Sequence, residues 1–172
     1  MSKESEEMIS FRESMSCVAN TVSVIALSNE LRKGGLIAVT ISSLVSTSVE
    51  ENQEEVMFTL KSDSHAAKFL DIGIQFSINV LSESQKNIAD FYGKSIGNNQ
   101  NPAFENSVLW VENSGVPKLK DAQIVMVCSI ADRVTRRNSS VFFARVVEFG
   151  HNSDLRPLLH FKRSYFKIGL ED

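Results

Sequence analysis

Cysteine is scarce in this chain. Its 172 residues hold two, Cys17 and Cys128, far apart and without a CxxC pair or paired histidines nearby. That leaves no metal signature, and no metal ligand is assigned. Cys128 lies in an alternating apolar run and reads as a buried thiol. A basic excess is also missing: 18 Lys and Arg stand against 21 Asp and Glu, a net charge of -3. No broad positive field exists for phosphate backbones, so nucleic acid is not an expected partner. No apolar run reaches the length of a bilayer span, so no membrane partner is expected either. Met1 to Glu7 is acidic and polar, without the positive start and apolar centre of a signal peptide. The expected location is the cytoplasm. Internal repeats and low-complexity stretches are absent.

What remains is 42% hydrophobic and long enough to bury a core. The length fits one domain, 1–172, with residues 1–7 frayed. Met8, Ile9, Phe11, Met15 and Val18 give an apolar face at helical spacing, which predicts a helix from about Glu6 to Ala19, stopped near Asn20. Thr21 to Leu27 reads as a strand, Ser28 to Gly35 as a hairpin loop, and Leu36 to Ser43 as the returning strand. Glu55 to Lys61 is a third strand. Ser62-Asp63-Ser64 precedes a short helix from His65 to Leu70, closed by Gly73. Gln75 to Leu81 is a fourth strand. Ser82 and Gln85 form a capping box for a helix running to about Tyr92. Gly97 to Pro102 is an irregular loop. Ser107 to Glu112 carries the lone tryptophan, Trp110, ahead of a turn at Gly115-Val116-Pro117. Asp121 to Asp132 and Val141 to Phe149 are long strands joined by a polar, basic hairpin connection, Thr135 to Ser140. Arg156 to Phe161 and Tyr165 to Ile168 close the chain as short strands. The pattern predicts a mainly-β or α+β fold, an antiparallel barrel with a few short helices.

Two stretches carry chemistry. Gly35 to Ser48 begins as an apolar strand and ends in a ladder of small hydroxyl residues. Such residues bond their own backbone, so a strand end with turn chemistry is one reading. The other is a shelf for a flat, polar ligand with many acceptors, such as a flavin. Lys61-Ser62-Asp63-Ser64, a strand end followed by hydroxyls and a helix start, suits a phosphate, or is simply an N-cap.

In this order the features resemble the flavin reductase family, whose members have an FMN-binding split barrel. The likeness runs from Phe11 to Ile168. It rests on Phe11-Arg12-Glu13-Ser14-Met15 through Val22-Ser23-Val24-Ile25, on the ladder Thr40 to Ser48, and on Lys61-Ser62-Asp63-Ser64-His65. It continues through Asn79-Val80-Leu81, Gln85-Lys86-Asn87-Ile88-Ala89-Asp90-Phe91, and Pro157-Leu158-Leu159-His160. The resemblance implies a homodimer that binds FMN or FAD. NADH or NADPH would be the co-substrate, and reduced flavin would go to a partner monooxygenase. It implies that Thr40, Ile41, Ser42, Ser43, Ser46 and Ser48 hold the ring and ribityl chain. Lys61, Ser62 and Ser64 would hold the phosphate, with Phe91 beside the flavin or the dimer contact. No catalytic side chain is assigned.

The chain departs from that family in two places. Where many members carry Gly-Asp-His it has Asn138-Ser139-Ser140, and no other histidine obviously substitutes. Where the family often has Asp-Pro-Pro it has Val49-Glu50-Glu51-Asn52-Gln53. Arg133, Arg136 and Arg137 either attract a dinucleotide phosphate or form a solvated hairpin tip. Two further readings stand beside a reductase: a non-catalytic flavin carrier or electron-transfer protein on the same barrel, and a dimeric module for another ligand such as haem. The latter needs an exposed axial histidine.

Overall fold

The structure is a computed structural model that describes residues 11–29, 35–48, 50–93, 109–113 and 115–169. It begins with a short helix, α1, over 11–16. Strands β1 (Asn20–Thr21), β2 (Ser23–Asn29), β3 (Gly35–Ile41), β4 (Val45–Ser48), β5 (Glu55–Lys61) and β6 (Gln75–Val80) follow. Helix α2 is Lys86–Gly93. Strands β7 (Trp110–Asn113), β8 (Val116–Leu119), β9 (Ile124–Arg136), β10 (Ser139–His151), β11 (Leu159–Phe161) and β12 (Ser164–Phe166) complete the chain.

Seven strands form one antiparallel sheet in the order β3-β2-β6-β9-β10-β5-β4. Its two edge strands, β3 and β4, are consecutive in sequence and separated only by residues 42–44. A trans chain advances about 3.8 Å per Cα, so the edges must come close and the sheet must roll. β3 and β4 are not paired with each other among the described residues, which leaves a split barrel.

Period-two alternation decides which side chains fill the roll. Ile25, Leu27, Ile37, Ile41, Val56, Phe58, Phe76, Ile78, Ile130 and Phe142 face inward and are buried. Phe58 stacks on Phe142 at 5.1 Å between centroids and meets Phe76 tilted at 5.6 Å. Cys128 is buried in this core, as its apolar run predicts. The outward side of β2 carries Val24 and Ala26, with Val22 just before it, into a second core with Ile88 and Ala89 of α2, Trp110, Leu119 and Leu158. Asn79, on the outward face of β6, ties this layer down. Its Nδ2 donates to the Val24 carbonyl at 3.0 Å, and its Oδ1 accepts from the Leu119 amide at 2.9 Å.

β9 and β10 are each 13 residues long and shift register between Phe143 and Ala144 and between Val146 and Glu148. Such bulges bend a ladder, which lets one long hairpin serve both the roll and the outer layer.

The strand expectations hold in kind, with shifted ends. β5 matches its predicted span. β9 and β10 extend through the stretch expected to be a connection, Thr135 to Ser140, because those polar side chains pair across the hairpin. Only Arg137 and Asn138 form the turn, with Arg137 at φ 52°. Pro117 lies inside β8 rather than in a turn. The first helix is shorter than expected at its C-terminal end, with Asn20 already in β1, and Phe11, Met15 and Val18 are exposed rather than packed. Its expected start, with Met8 and Ile9, and the loop Gly97 to Pro102 lie outside the described residues. The capping box forms by half: the Ser82 amide donates to Gln85 Oε1 at 3.0 Å, while the Ser82 hydroxyl pairs with Ser84. The expected helix from His65 to Leu70 is a single 3-10 turn, Ala66–Lys68.

Candidate functional site

The ladder forms the seam of the roll. Edge strands keep one row of backbone donors and acceptors without a strand partner. Here two such rows, on β3 and β4, flank the three-residue step between them. The hydroxyls divide into two groups. Thr40 points out of the roll and donates to the Ala89 carbonyl of α2 at 3.4 Å. Ser43 reaches the opposite bank: its Oγ accepts from the Thr59 amide at 3.0 Å and shares a 2.8 Å bond with the Thr59 hydroxyl. Ser42, between them, is exposed. Ser46 and Ser48 are spent locally, since Ser46 donates to the Ser48 carbonyl at 3.0 Å and Ser48 Oγ accepts from the Glu50 amide at 3.3 Å. For those two the turn-chemistry reading applies. Ile41 sits 4% exposed with its side chain in the core, so only its backbone faces the seam.

Thr59 connects the ladder to the second predicted stretch. Lys61 lies two residues further along β5, on the same face, with an exposed side chain. The seam therefore runs from α2, which carries Phe91, through Thr40, Ser42 and Ser43 to Thr59 and Lys61. Phe91 is half-buried and packs edge-on against Tyr92 at 5.0 Å.

The segment after Lys61 has no helix dipole to favour an anion. A three-residue 3-10 turn has no useful dipole, so that part of the expectation is corrected. What replaces it is hydroxyl chemistry. Ser64 Oγ accepts from the Ala67 amide at 3.3 Å, which leaves its own proton free to donate. The Ser62 amide donates to the Asn138 carbonyl at 2.8 Å, and its hydroxyl bonds that of Ser140 at 3.1 Å. Asn138-Ser139-Ser140 thus lies directly against Lys61-Ser62, with Ser139 opposite Lys61 in the ladder. Sequence order gave no hint of that adjacency.

The three arginines part company. Arg136 and Arg137 are exposed at the turn. Arg133 is directed inward over the Phe142 ring, 5.0 Å from its centroid. Its Nε and Nη2 donate to Ser140 Oγ at 3.3 and 3.1 Å, and its Nη1 donates to the Ala67 carbonyl at 3.1 Å.

A second polar cluster borders the α2 end of the seam. A Cβ added to Gly93 would lie 3.6 Å from the Tyr165 hydroxyl and 3.8 Å from Thr40 Oγ1. Burial raises the Tyr165 pKa, and the Asp90 carboxylate adds to the rise, so the phenol stays protonated and able to donate. His160 packs against the Tyr165 ring at 5.5 Å. Residue spacing does not single out Tyr165, which the sequence gives only as the start of a short closing strand. Taken together, the seam offers neutral hydroxyls, edge amides and one ammonium. That set suits a flat ring rich in acceptors whose tail ends in an anion.

Comparison with other proteins identifies the family and the fold. The family model described as a flavin reductase like domain matches residues 15–169. The NADH-dependent flavin reductase StyB of Pseudomonas fluorescens is 30% identical over 158 residues, 90% of this chain and 86% of that protein. The FMN reductase (NADH) RutF of Bradyrhizobium diazoefficiens is 24% identical over 165 residues, 94% and 86% of the two chains. Among solved structures, the styrene monooxygenase flavin reductase SMOB from Pseudomonas putida S12 superposes with a TM-score of 0.78 at 27% identity, covering 94% of this chain and 98% of that one. The NADH:FAD oxidoreductase SgcE6 of Streptomyces globisporus C-1027, in complex with NAD and FAD fragments, reaches 0.81 at 15% identity over 95% and 94%, a likeness of fold.

Proposed function

Because the chain belongs to the flavin reductase like domain family, we propose that it is an NADH:flavin oxidoreductase that reduces FMN or FAD and passes the reduced flavin to a partner monooxygenase. The observation that carries this reading is the seam itself: a hydroxyl ladder between two edge strands, continuous through Thr59 with Lys61. The donor set fits a flavin. Thr40, Ser42 and Ser43, with the backbone of Ile41, orient the ring and ribityl chain. Ser46 and Ser48 border that chain on β4. Lys61, Ser62 and Ser64 hold the phosphate, and Phe91 closes the α2 side. A bound flavin supplies the hydride acceptor. The chain's own contribution is position: it fixes one ring face against protein and leaves the other open to a nicotinamide. No side chain is assigned as a general acid or base, because hydride transfer does not require one.

The test is to follow NADH absorbance with protein, with and without FMN, under air. Protein-dependent loss that saturates with FMN is expected. Tight FMN binding without turnover of NADH or NADPH would instead establish the second reading, a flavin carrier. One observation favours that alternative: Ser140, where the resembled family carries histidine, is buried and engaged with Arg133, Ser62 and Thr135.

A homodimer and a cytoplasmic location belong to the same proposal. Val147 and Phe149 on β10 are 57% and 65% exposed, an apolar face that a second copy would cover. Sedimentation at twice 19.1 kDa is expected, and a monomer at micromolar concentration would remove the dimer. No helix among the described residues is long and apolar enough to cross a membrane.

A further inference from the structure

The segment that follows β5 is held at two points by one connected unit. Ser140 is fully buried, and its Oγ is met by Ser62 at 3.1 Å, by Thr135 at 2.9 Å and by two Arg133 nitrogens. A hydroxyl offers one proton and two acceptor positions. The two nitrogens of the arginine fork share one acceptor position, so one of Ser62 and Thr135 donates to the other position and the second receives the Ser140 proton. Arg133 then reaches past Ser140 to the Ala67 carbonyl, in the 3-10 turn whose Ala66 and Ala67 are buried in the core of the roll. Ser62 at one end and Ala67 at the other are thereby fixed through the same guanidinium. Ser64, between them, is locked by its bond from the Ala67 amide. The guanidinium is itself seated on Phe142, which stacks on Phe58 in the core.

We propose that Arg133 and Ser140 form a clamp that presets Ser62 and Ser64 for an anionic phosphate tail, so that Arg133 is a positioning residue and not a ligand of the dinucleotide. The proposal rests on the flavin reading above. Arg133 has Nε, Nη1 and Nη2 all engaged within the protein, whereas Arg136 and Arg137 are exposed at the turn. The clamp uses the residue at the third position of Asn138-Ser139-Ser140. The departure from the Gly-Asp-His pattern is therefore a substitution of one buried interaction for another kind of side chain, and not a vacancy.

The experiment compares FMN with riboflavin, which differs only in lacking the phosphate. Dissociation constants are measured by fluorescence quenching for wild type, Ser140→Ala, Arg133→Lys and the double variant. Lysine keeps the charge but has no fork, so it cannot hold Ser140 and Ala67 together. Each single variant is expected to weaken FMN about tenfold and riboflavin less than about twofold. The double variant should be no weaker than the worse single, because both break one unit. Equal losses for the two ligands, or additive losses, overturn the clamp while leaving flavin binding in place. A wild-type protein that does not prefer FMN to riboflavin overturns the phosphate assignment of the loop, and the clamp's role with it. Should Ser140→Ala fail to fold, the half-exposed Arg133→Lys carries the comparison alone.

Discussion

At the scale of single residues, the two cysteines make opposite predictions. Cys17 is exposed, while Cys128 is sealed in the core and burial pushes its thiol up to about 12 from 9.0. One thiol per native chain should react with a disulfide reagent at pH 8, and the second only in denaturant. Fast reaction of both would mean that the core is open. The same burial sets a pH dependence. Because the folded thiol titrates later than the unfolded one, its contribution is complete below about pH 9 and is lost as pH rises toward 12. The full loss is worth about 4 kcal/mol by linkage. Tyr165, raised in the same direction, adds to the alkaline loss. Urea midpoints at pH 8 and pH 10.5 should therefore separate more in wild type than in Cys128→Ala. Ser23 offers a further check. Its hydroxyl is buried beside Ile41 without a partner among the described residues. An unsatisfied buried hydroxyl costs about 1–3 kcal/mol, so Ser23→Ala should be neutral or stabilising in urea melts. A clear loss of stability would reveal a partner.

At the scale of elements, the sequence was most readable where alternation alone fixes structure. β5 was found to the residue, and β6 to within one. At the β9–β10 hairpin and at Ser62 the difficulty is that a polar side chain reads as a solvated one. Thr135 and Ser140 looked like loop, yet they face each other across β9 and β10 and bond. Ser62 meets Ser140 across 78 positions of sequence, and no local pattern encodes such a partner. The ladder was visible as a ladder, but its division into seam-facing Thr40 and Ser43 and self-bonded Ser46 and Ser48 depends on which strand lies opposite. The closing hairpin shows a similar gap. Its turn is Lys162-Arg163, both at positive φ, 47° and 62°, where Asn-Gly is the usual choice. The exposed Arg163–Glu13 pair, at 2.9 Å, compensates only weakly. Replacing Lys162→Asn together with Arg163→Gly should raise stability by about 1 kcal/mol. A fall in the melting temperature would show that the ion pair outweighs backbone strain.

At the scale of the whole molecule, two cores share one sheet. β2 lends one face to each, and Asn79 stitches the outer layer to the inner strands. Such coupling predicts cooperative unfolding. Trp110 sits in the outer core and reports on it by fluorescence, while the far-ultraviolet signal is dominated by strands of the roll. The two curves should coincide in urea. Separate midpoints would mean that the outer layer melts on its own. The strand order also bears on how the chain is made. β5 finds its neighbour in β10, with Lys61 set against Ser139, and among the described residues β4 joins the sheet only through β5. On a ribosome the first half of the chain emerges long before that neighbour exists. The β4–β5 pair must wait as an orphan hairpin, its apolar Val56, Phe58 and Leu60 uncovered, until nearly all of the polypeptide is in solution. Completion of this sheet is a late event in the protein's birth, and its nascent form is a natural client for a chaperone.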